Sequence, residues 1–223
     1  ASSCFVFSYL HIIVKTQLFV KGTRCTQGAI VLKSGQSAPC AARFVKKGEY
    51  LLMKVLLING SPHEKGCTYT ALSLIAGELN ASGIETEILT AGTKPVGGCI
   101  GCGGCRSGNG CVFGGVVNEA IEKAKTADAF VFGTPVHYAS ASGNMTSFMD
   151  RLAYAGGKYL AYKPAAICAS ARRAGTTTTL DQLVKYPEFF HMPLVSGSYW
   201  PMVHGSKPCL LYTSPSPRDG LLS

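Results

Sequence analysis

The chain has 223 residues, 47% of them hydrophobic and 15% charged, with a formal net charge of +9. That size and balance suit one globular domain with one buried core and exclude a disordered chain. The charge does not mark a nucleic-acid binder: residues 1–52 hold seven Lys or Arg and one acid, a net of +6, residues 53–208 a net of +3, and the body has no basic stripe interleaved with aromatics.

Residues 1–52 show no sustained period. The apolar stretch Phe5 to Val20 is broken by His11 and Lys15, is too short to span a bilayer comfortably, and ends in no signal-peptidase site, so no membrane is expected. Lys46-Lys47-Gly48-Glu49 corresponds to a purine-rich coding stretch resembling a bacterial ribosome-binding site, and the expectation is that translation starts at Met53 and that 1–52 is a non-native leader. At the other end, "CLLYTSPSPRD" (Cys209 to Asp219) resembles the in-frame translation of a library adapter. Residues 209–223 are therefore read as a non-native tail, and the domain as 53–208, cut short before its final helix.

From Met53 the pattern is regular. "KVLLING" is a continuous apolar run ending in a glycine turn, as in a strand buried on both faces. Leu72, Ile75, Ala76 and Leu79 then recur at helical spacing and Gly83 closes the helix. "IETEIL" is a second strand. Val117, Ala120, Ile121 and Ala124 give a second helix, and "DAFVFGTP" a third strand. Met145, Phe148, Met149 and Leu152 form a core-facing stripe, and "PAAICASA" is strand four, where Cys168 is a small buried apolar residue. Leu180, Leu183 and Val184 predict a short helix that stops before Pro187, and "MPLVSGSYW" supplies strand five. Strands alternating with helices predict a parallel sheet whose ligands bind beyond the carboxyl ends of the strands. The loops that matter then start near Asn59, Thr90, Gly133, Ser170 and Ser196.

The first loop, "NGSPHEKGCTYT", places Gly60, Ser61, Gly66, Thr68 and Thr70 between a strand and a helix N-terminus. Backbone N–H groups, hydroxyls and the helix dipole together suit a phosphate. The loop is neither a Walker A nor a GxGxxG motif. The third, "GTPVHYASASGNMTSFMDR", presents Pro135, Val136, His137 and Tyr138, then Ser142-Gly143 at a helix start, and can line the edge of a flat polar ring system. These two loops resemble the FMN loops of the flavodoxin-like NAD(P)H-dependent FMN reductase superfamily, over about Met53 to Pro208. The resemblance implies a flavodoxin-like three-layer α/β sandwich, with a five-stranded parallel sheet in the order 2-1-3-4-5. It places the FMN phosphate in the first loop and the isoalloxazine along the second, with "SARRAGTTTT" closing from strand four. Ser61, Thr68, Pro135, Val136, His137 and Tyr138 stand at matching motif positions, and the same loops bring His63, Cys67, Thr70, Ser142, Gly143, Ala171, Arg172 and Gly175 to the flavin site. Two residues depart from the pattern: His63 stands where Arg is common, and Cys67 where Asn is common.

After strand two comes "GCIGCGGCRSGNGC", with Cys99, Cys102, Cys105 and Cys111. Four of the ten cysteines in so short a run point to a reducing compartment, the cytoplasm, and to a local chemical use. Three uses stay open: an iron–sulfur cluster, cluster-free thiols, and zinc or redox-disulfide chemistry. The spacing resembles the compact motif of the iron–sulfur flavoproteins, a branch of the same superfamily, in which it holds a [4Fe–4S] cluster near FMN. The implied activity is hydride transfer from NAD(P)H to FMN and onward delivery to a quinone, flavin or protein acceptor, with no side-chain nucleophile. The implied assembly is a homodimer or homotetramer, with Tyr199 and Trp200 candidate interface residues. Against this stand a non-catalytic flavodoxin-like carrier and a zinc-stabilised interaction domain.

Overall fold

The computed structural model describes residues 53–197, 199–208 and 211. The readings made for 1–52 and, Leu211 apart, for 209–223 fall outside the described residues. Among the described residues six strands and four helices follow one another as β1 (Lys54–Asn59), α1 (Cys67–Ala81), β2 (Glu85–Thr90), a short 3-10 turn (Gly104–Ser107), α2 (Val116–Thr126), β3 (Ala129–His137), β4 (Ser140–Ala141), α3 (Gly143–Leu160), β5 (Ala165–Ala171), α4 (Thr176–Phe189) and β6 (Met202–His204). Five strands run parallel in the order β2-β1-β3-β5-β6, and β4 pairs antiparallel with the end of β3. This is the expected 2-1-3-4-5 order, with a hairpin added.

Strand alternation divides the core. Leu56, Ile58, Phe130, Phe132 and Ile167 face α2, α3 and α4, while Val55, Leu57, Val131 and Ala166 face α1. The helical stripes do the complementary work: Leu72, Ala76 and Leu79 are buried on one side, and Val117, Ile121, Met145, Phe148, Met149 and Leu152 on the other. The Met stripe is therefore core, as expected. Gly83, at φ +76, ends α1 as predicted. Its N–H bonds the Asn80 carbonyl and the Ile84 N–H reaches back to Leu79, which satisfies two carbonyls at the helix end. Cys168 is buried, and burial pushes its thiol up to about 12, so it is an inert core residue.

Three sequence expectations are corrected. The third strand does not yield to a loop at Gly133 but continues to His137. Pro135, with no N–H to give, is tolerated because the ladder to β5 ends at its pairing with Ser170, and Val136 and His137 turn to β4 instead. The helix expected to stop before Pro187 runs through it to Phe189. Pro187 lies in the last turn, where few bonds remain to be lost, and its buried ring repays the break by packing. The fifth parallel strand is Met202–His204 rather than the stretch 192–200, where Leu194 bridges to Ala165 before the chain bends away. A cavity of about 460 Å³ lies in that bend, between Ile167, Leu180, Val184, Val195 and Trp200. No described helix is long and apolar enough to cross a membrane.

Candidate functional site

The carboxyl ends of β1, β2, β3 and β5 all open toward one edge, and the loops singled out in the sequence meet there. Close packing between glycines and backbone holds them in register. The Gly60 N–H donates to the Gly133 carbonyl at 2.8 Å, tying loop 60–66 to β3. Gly92, after β2, packs so tightly on loop one that a Cβ there would stand 2.3 Å from the Ser61 carbonyl oxygen. Gly175, at φ +92, caps α4 and packs on Ala139, where a Cβ would lie 2.7 Å from the Ala139 Cα. Glycine is required at these contacts because only it lets two backbones approach so closely.

In loop one, the Asn59 Oδ1 accepts the Ser61 N–H at 3.1 Å and the Ser61 Oγ accepts the His63 N–H at 3.1 Å. The Ser61 hydroxyl proton stays available to donate. Gly66 caps α1 with no side-chain bond, so the first-turn N–H groups and the positive end of the helix face the loop. Thr68 is buried and its hydroxyl shares a 2.7 Å bond with the Ser170 hydroxyl of β5, while the Thr70 hydroxyl turns back to the Gly66 carbonyl. Cys67 is half-buried, with its sulfur 3.7 Å from the Gly205 carbonyl oxygen, and His63 is exposed.

The hairpin from β3 places Pro135 and Val136 half-buried and His137 and Tyr138 exposed. Tyr138 (φ 52) and Ala139 (φ 59) form its two-residue tip, both in the left-handed region, and Tyr138 is fully exposed, at 105% relative exposure. Helix α4 holds this strained turn: Gln182 Oε1 accepts from the Ser140 hydroxyl at 2.7 Å and from the Ala141 N–H at 2.8 Å, and the Thr178 hydroxyl donates to the Ala139 carbonyl at 2.8 Å. Ser142 stands at the helix start, where its sequence reading put it. It is buried, caps α3 by accepting the Met145 N–H, and donates to the Gly60 carbonyl at 2.8 Å, so it joins two loops rather than facing the open edge. Gly143 is exposed beside it. Beyond β5, Ala171 is buried and Arg172 exposed.

The cysteine loop leaves from the same edge. Cys99 and Cys102 are exposed, Cys105 and Cys111 half-buried, and all four are free thiols. Gly101, Gly103, Gly108 and Gly110 hold positive φ between them. Among the described residues no group of three or more His, Cys, Asp or Glu side chains is gathered as a metal-binding set. Four free thiols on one glycine-rich loop fit an iron–sulfur centre in kind and number.

Several positioning residues escaped the sequence reading. Asn144 fixes the start of this loop, with its Nδ2 on the Gly92 carbonyl at 2.8 Å and its Oδ1 accepting the Val96 N–H at 3.1 Å. Asn118 clamps Cys111 from both sides, accepting its N–H at 2.8 Å and donating to its carbonyl at 3.0 Å. Arg151 reaches the loop from α3. The available signal for Arg151 was a charged residue on the margin of the Met145–Leu152 apolar stripe.

The NADPH-dependent FMN reductase family matches residues 53–207. An iron–sulfur flavoprotein of Methanocaldococcus jannaschii is 31% identical over 155 residues, which cover 68% of this chain and 80% of that protein. One from Archaeoglobus fulgidus is 35% identical over 99 residues, 44% of this chain and 48% of its own length, so the match spans about half of that relative. Among solved structures, an NAD(P)H:quinone oxidoreductase from Methanothermobacter marburgensis superposes with a TM-score of 0.54 at 17% identity, over 71% of this chain and 87% of that one. An NADH:FMN oxidoreductase in its apo form gives a TM-score of 0.50 at 19% identity, over 67% and 75%. At such identities the superpositions speak for the fold alone. The loop spacing, the parallel sheet order and the length of the family match together establish that the chain belongs to the NADPH-dependent FMN reductase family, in its iron–sulfur flavoprotein branch.

Proposed function

We propose that the protein is an FMN-dependent NAD(P)H oxidoreductase that passes electrons to a quinone, flavin or protein acceptor, with a [4Fe–4S] cluster on the cysteine loop as a relay. The observation that carries this reading is the convergence on one sheet edge of the uncapped N-terminus of α1, the β3–β4 hairpin, the β5–α4 loop and the four free cysteines. The residues present fit FMN. Ser61, Thr68 and the backbone at the start of α1 would hold its phosphate, with His63, Cys67 and Thr70 alongside. Pro135, Val136, His137 and Tyr138 would line the ring edge, with Gly143, Ala171, Arg172 and Gly175 closing the opposite side. Bound FMN supplies hydride acceptance in a pair and release of electrons singly or in pairs.

What the chain itself contributes is placement. The Gly60–Gly133 and Ser142–Gly60 bonds fix the phosphate loop relative to β3, and Gln182 and Thr178 fix the hairpin, so the binding edge is set before a ligand arrives. Exposed Tyr138 and His137 leave a face open to a second substrate. Cys99, Cys102, Cys105 and Cys111 would hold the cluster. The free thiols of Cys99, Cys102, Cys105, Cys111 and Cys168 accord with a reducing, cytoplasmic setting. Assembly as a homodimer or homotetramer belongs to the same reading.

An anaerobic absorption spectrum with iron and acid-labile sulfide assays, followed by steady-state NADH and NADPH consumption with an artificial acceptor, tests it. Flavin bands, about four irons per chain and sustained turnover are expected. Flavin without turnover would reduce the protein to a carrier, and metal without flavin would defeat the reading.

A further inference from the structure

Arg151 is a buried cation that the proposed flavin chemistry does not use. It projects from α3 into the cysteine loop and is only 6% exposed. Its Nε donates to the Cys111 sulfur at 3.2 Å, one terminal nitrogen donates to the Gly114 carbonyl at 3.0 Å, and the other lies 3.4 Å from the Gly97 carbonyl. Its guanidinium also stacks over the Phe113 ring at 5.4 Å. It thus grips both ends of the loop and one of its four sulfurs.

The charge is the telling feature. A buried guanidinium is normally matched by a carboxylate, because neutral acceptors satisfy its N–H groups without offsetting the cost of removing its charge from water. Arg151 makes no ion pair among the described residues, its neighbour Asp150 is bonded to the Tyr186 hydroxyl, and residues 97–115 contain no Asp or Glu. The negative charge that would balance it can come from the loop only through its sulfurs. Cys111 is also the one loop cysteine held at both backbone and side chain, by Asn118 and Arg151, whereas Cys99 and Cys102 stand exposed.

We propose that Arg151 is the positioning residue of the cysteine loop: it fixes Cys111 as the stationary thiol around which Cys99, Cys102 and Cys105 gather, and its guanidinium is the charge complement of the centre they form. This rests on the reading of the four cysteines as cluster ligands. It adds that the cluster is easier to reduce because of Arg151, since each added electron enters beside a buried positive charge.

The wild-type protein is compared with Arg151→Gln and Arg151→Lys. In the iron-free flavoprotein, amide exchange over residues 97–114 is expected to rise about tenfold in Arg151→Gln while the sheet peptides stay protected. Unchanged exchange over 97–114 would overturn the positioning role whether or not iron binds. After anaerobic reconstitution, the cluster in Arg151→Gln is expected to hold its electron about tenfold less tightly, ~59 mV lower for a one-electron couple, and Arg151→Lys to restore most of that shift. Equal potentials in the Gln and Lys variants would overturn the charge role. A wild-type protein that takes up no iron defeats the cluster reading and with it the charge role, and the exchange result still decides the positioning role. Should Arg151→Gln not fold, Cys111→Ala cuts the same bond from the loop side, and unchanged exchange over 97–114 in that variant overturns the proposal equally.

Discussion

At the scale of single residues the binding edge depends on glycines whose missing side chains leave room for backbone. Gly92 is the sharpest case, because the atoms a Cβ would meet, the carbonyl oxygens of Ser61 and Gly60 at 2.3 and 2.5 Å, belong to backbone that cannot rotate away. Gly92→Ala is expected to displace loop one, cost about 1–3 kcal/mol and lower flavin content, as read by denaturant midpoint and absorbance. His204 governs an acid response. Burial holds it below its ordinary value of 6.5, against a smaller upward pull from the Arg173 backbone. The unfolded chain therefore binds a proton more readily than the fold. The stability from keeping this ring neutral is complete above its ordinary value and is lost as pH falls below it. Thermal melting across about pH 5 to 7 should show this decline, and His204→Asn should flatten it.

At the scale of elements, charge binds the amino end of the sheet while strain marks its carboxyl end. Glu87 of β2 lies between Lys123 of α2 and Lys54 of β1, and hydrogen bonds from Lys123 first and Lys54 second hold its carboxyl below the ordinary carboxylate value. The stability from this bridge is present above that ordinary value and disappears as pH falls. Being exposed to solvent, the network is screened and contributes little. Glu87→Gln should therefore shift the melting midpoint slightly at neutral pH, and the shift should shrink as pH falls below the ordinary carboxylate range. The hairpin tip is the opposite case. Tyr138 and Ala139 both occupy the left-handed region without the Asn or Gly that such turns prefer. Tyr138→Gly removes no packing, since the ring is fully exposed, and should stabilise the fold by about 1 kcal/mol. If Tyr138 meets the ring edge or the second substrate, the same variant should lose turnover while gaining stability.

For the whole molecule, the site is a product of topology. Strands read from apolar runs became a parallel sheet with the expected order, and the helix stripes from Leu72 to Leu183 are buried as their spacing required, with Ile75 and Val184 only partly covered. Periodicity was sufficient there because burying an apolar face against a sheet leaves few alternatives. The loop motifs were legible too: glycine, hydroxyl and cysteine spacing marked loops one and three and the cysteine run, because their chemistry is local in the chain. What failed depended on partners distant in sequence. Pro187 lies inside a helix because its ring is buried, β3 outruns its glycine because β4 pairs with it, and the last strand falls at Met202–His204 because the chain pairs with Ala169 to Ala171 of β5 there, whereas Leu194 meets β5 in a single bridge at Ala165. Ser142 carried the right motif, yet its hydroxyl is spent on the Gly60 carbonyl 82 residues away. Arg151 and Asn118 had no motif at all, because their meaning lies in Cys111, which they reach from other elements. The sequence by itself determined the α/β class and the chemical kinds of residue in the loops beyond the strands' carboxyl ends, since these follow from period and local spacing, while the strand order was implied by the resemblance of those loops to a known family. Only the tertiary structure decided which of those groups remain free to bind and which are consumed in holding the loops together, because a hydrogen bond between distant segments leaves no trace in either segment alone.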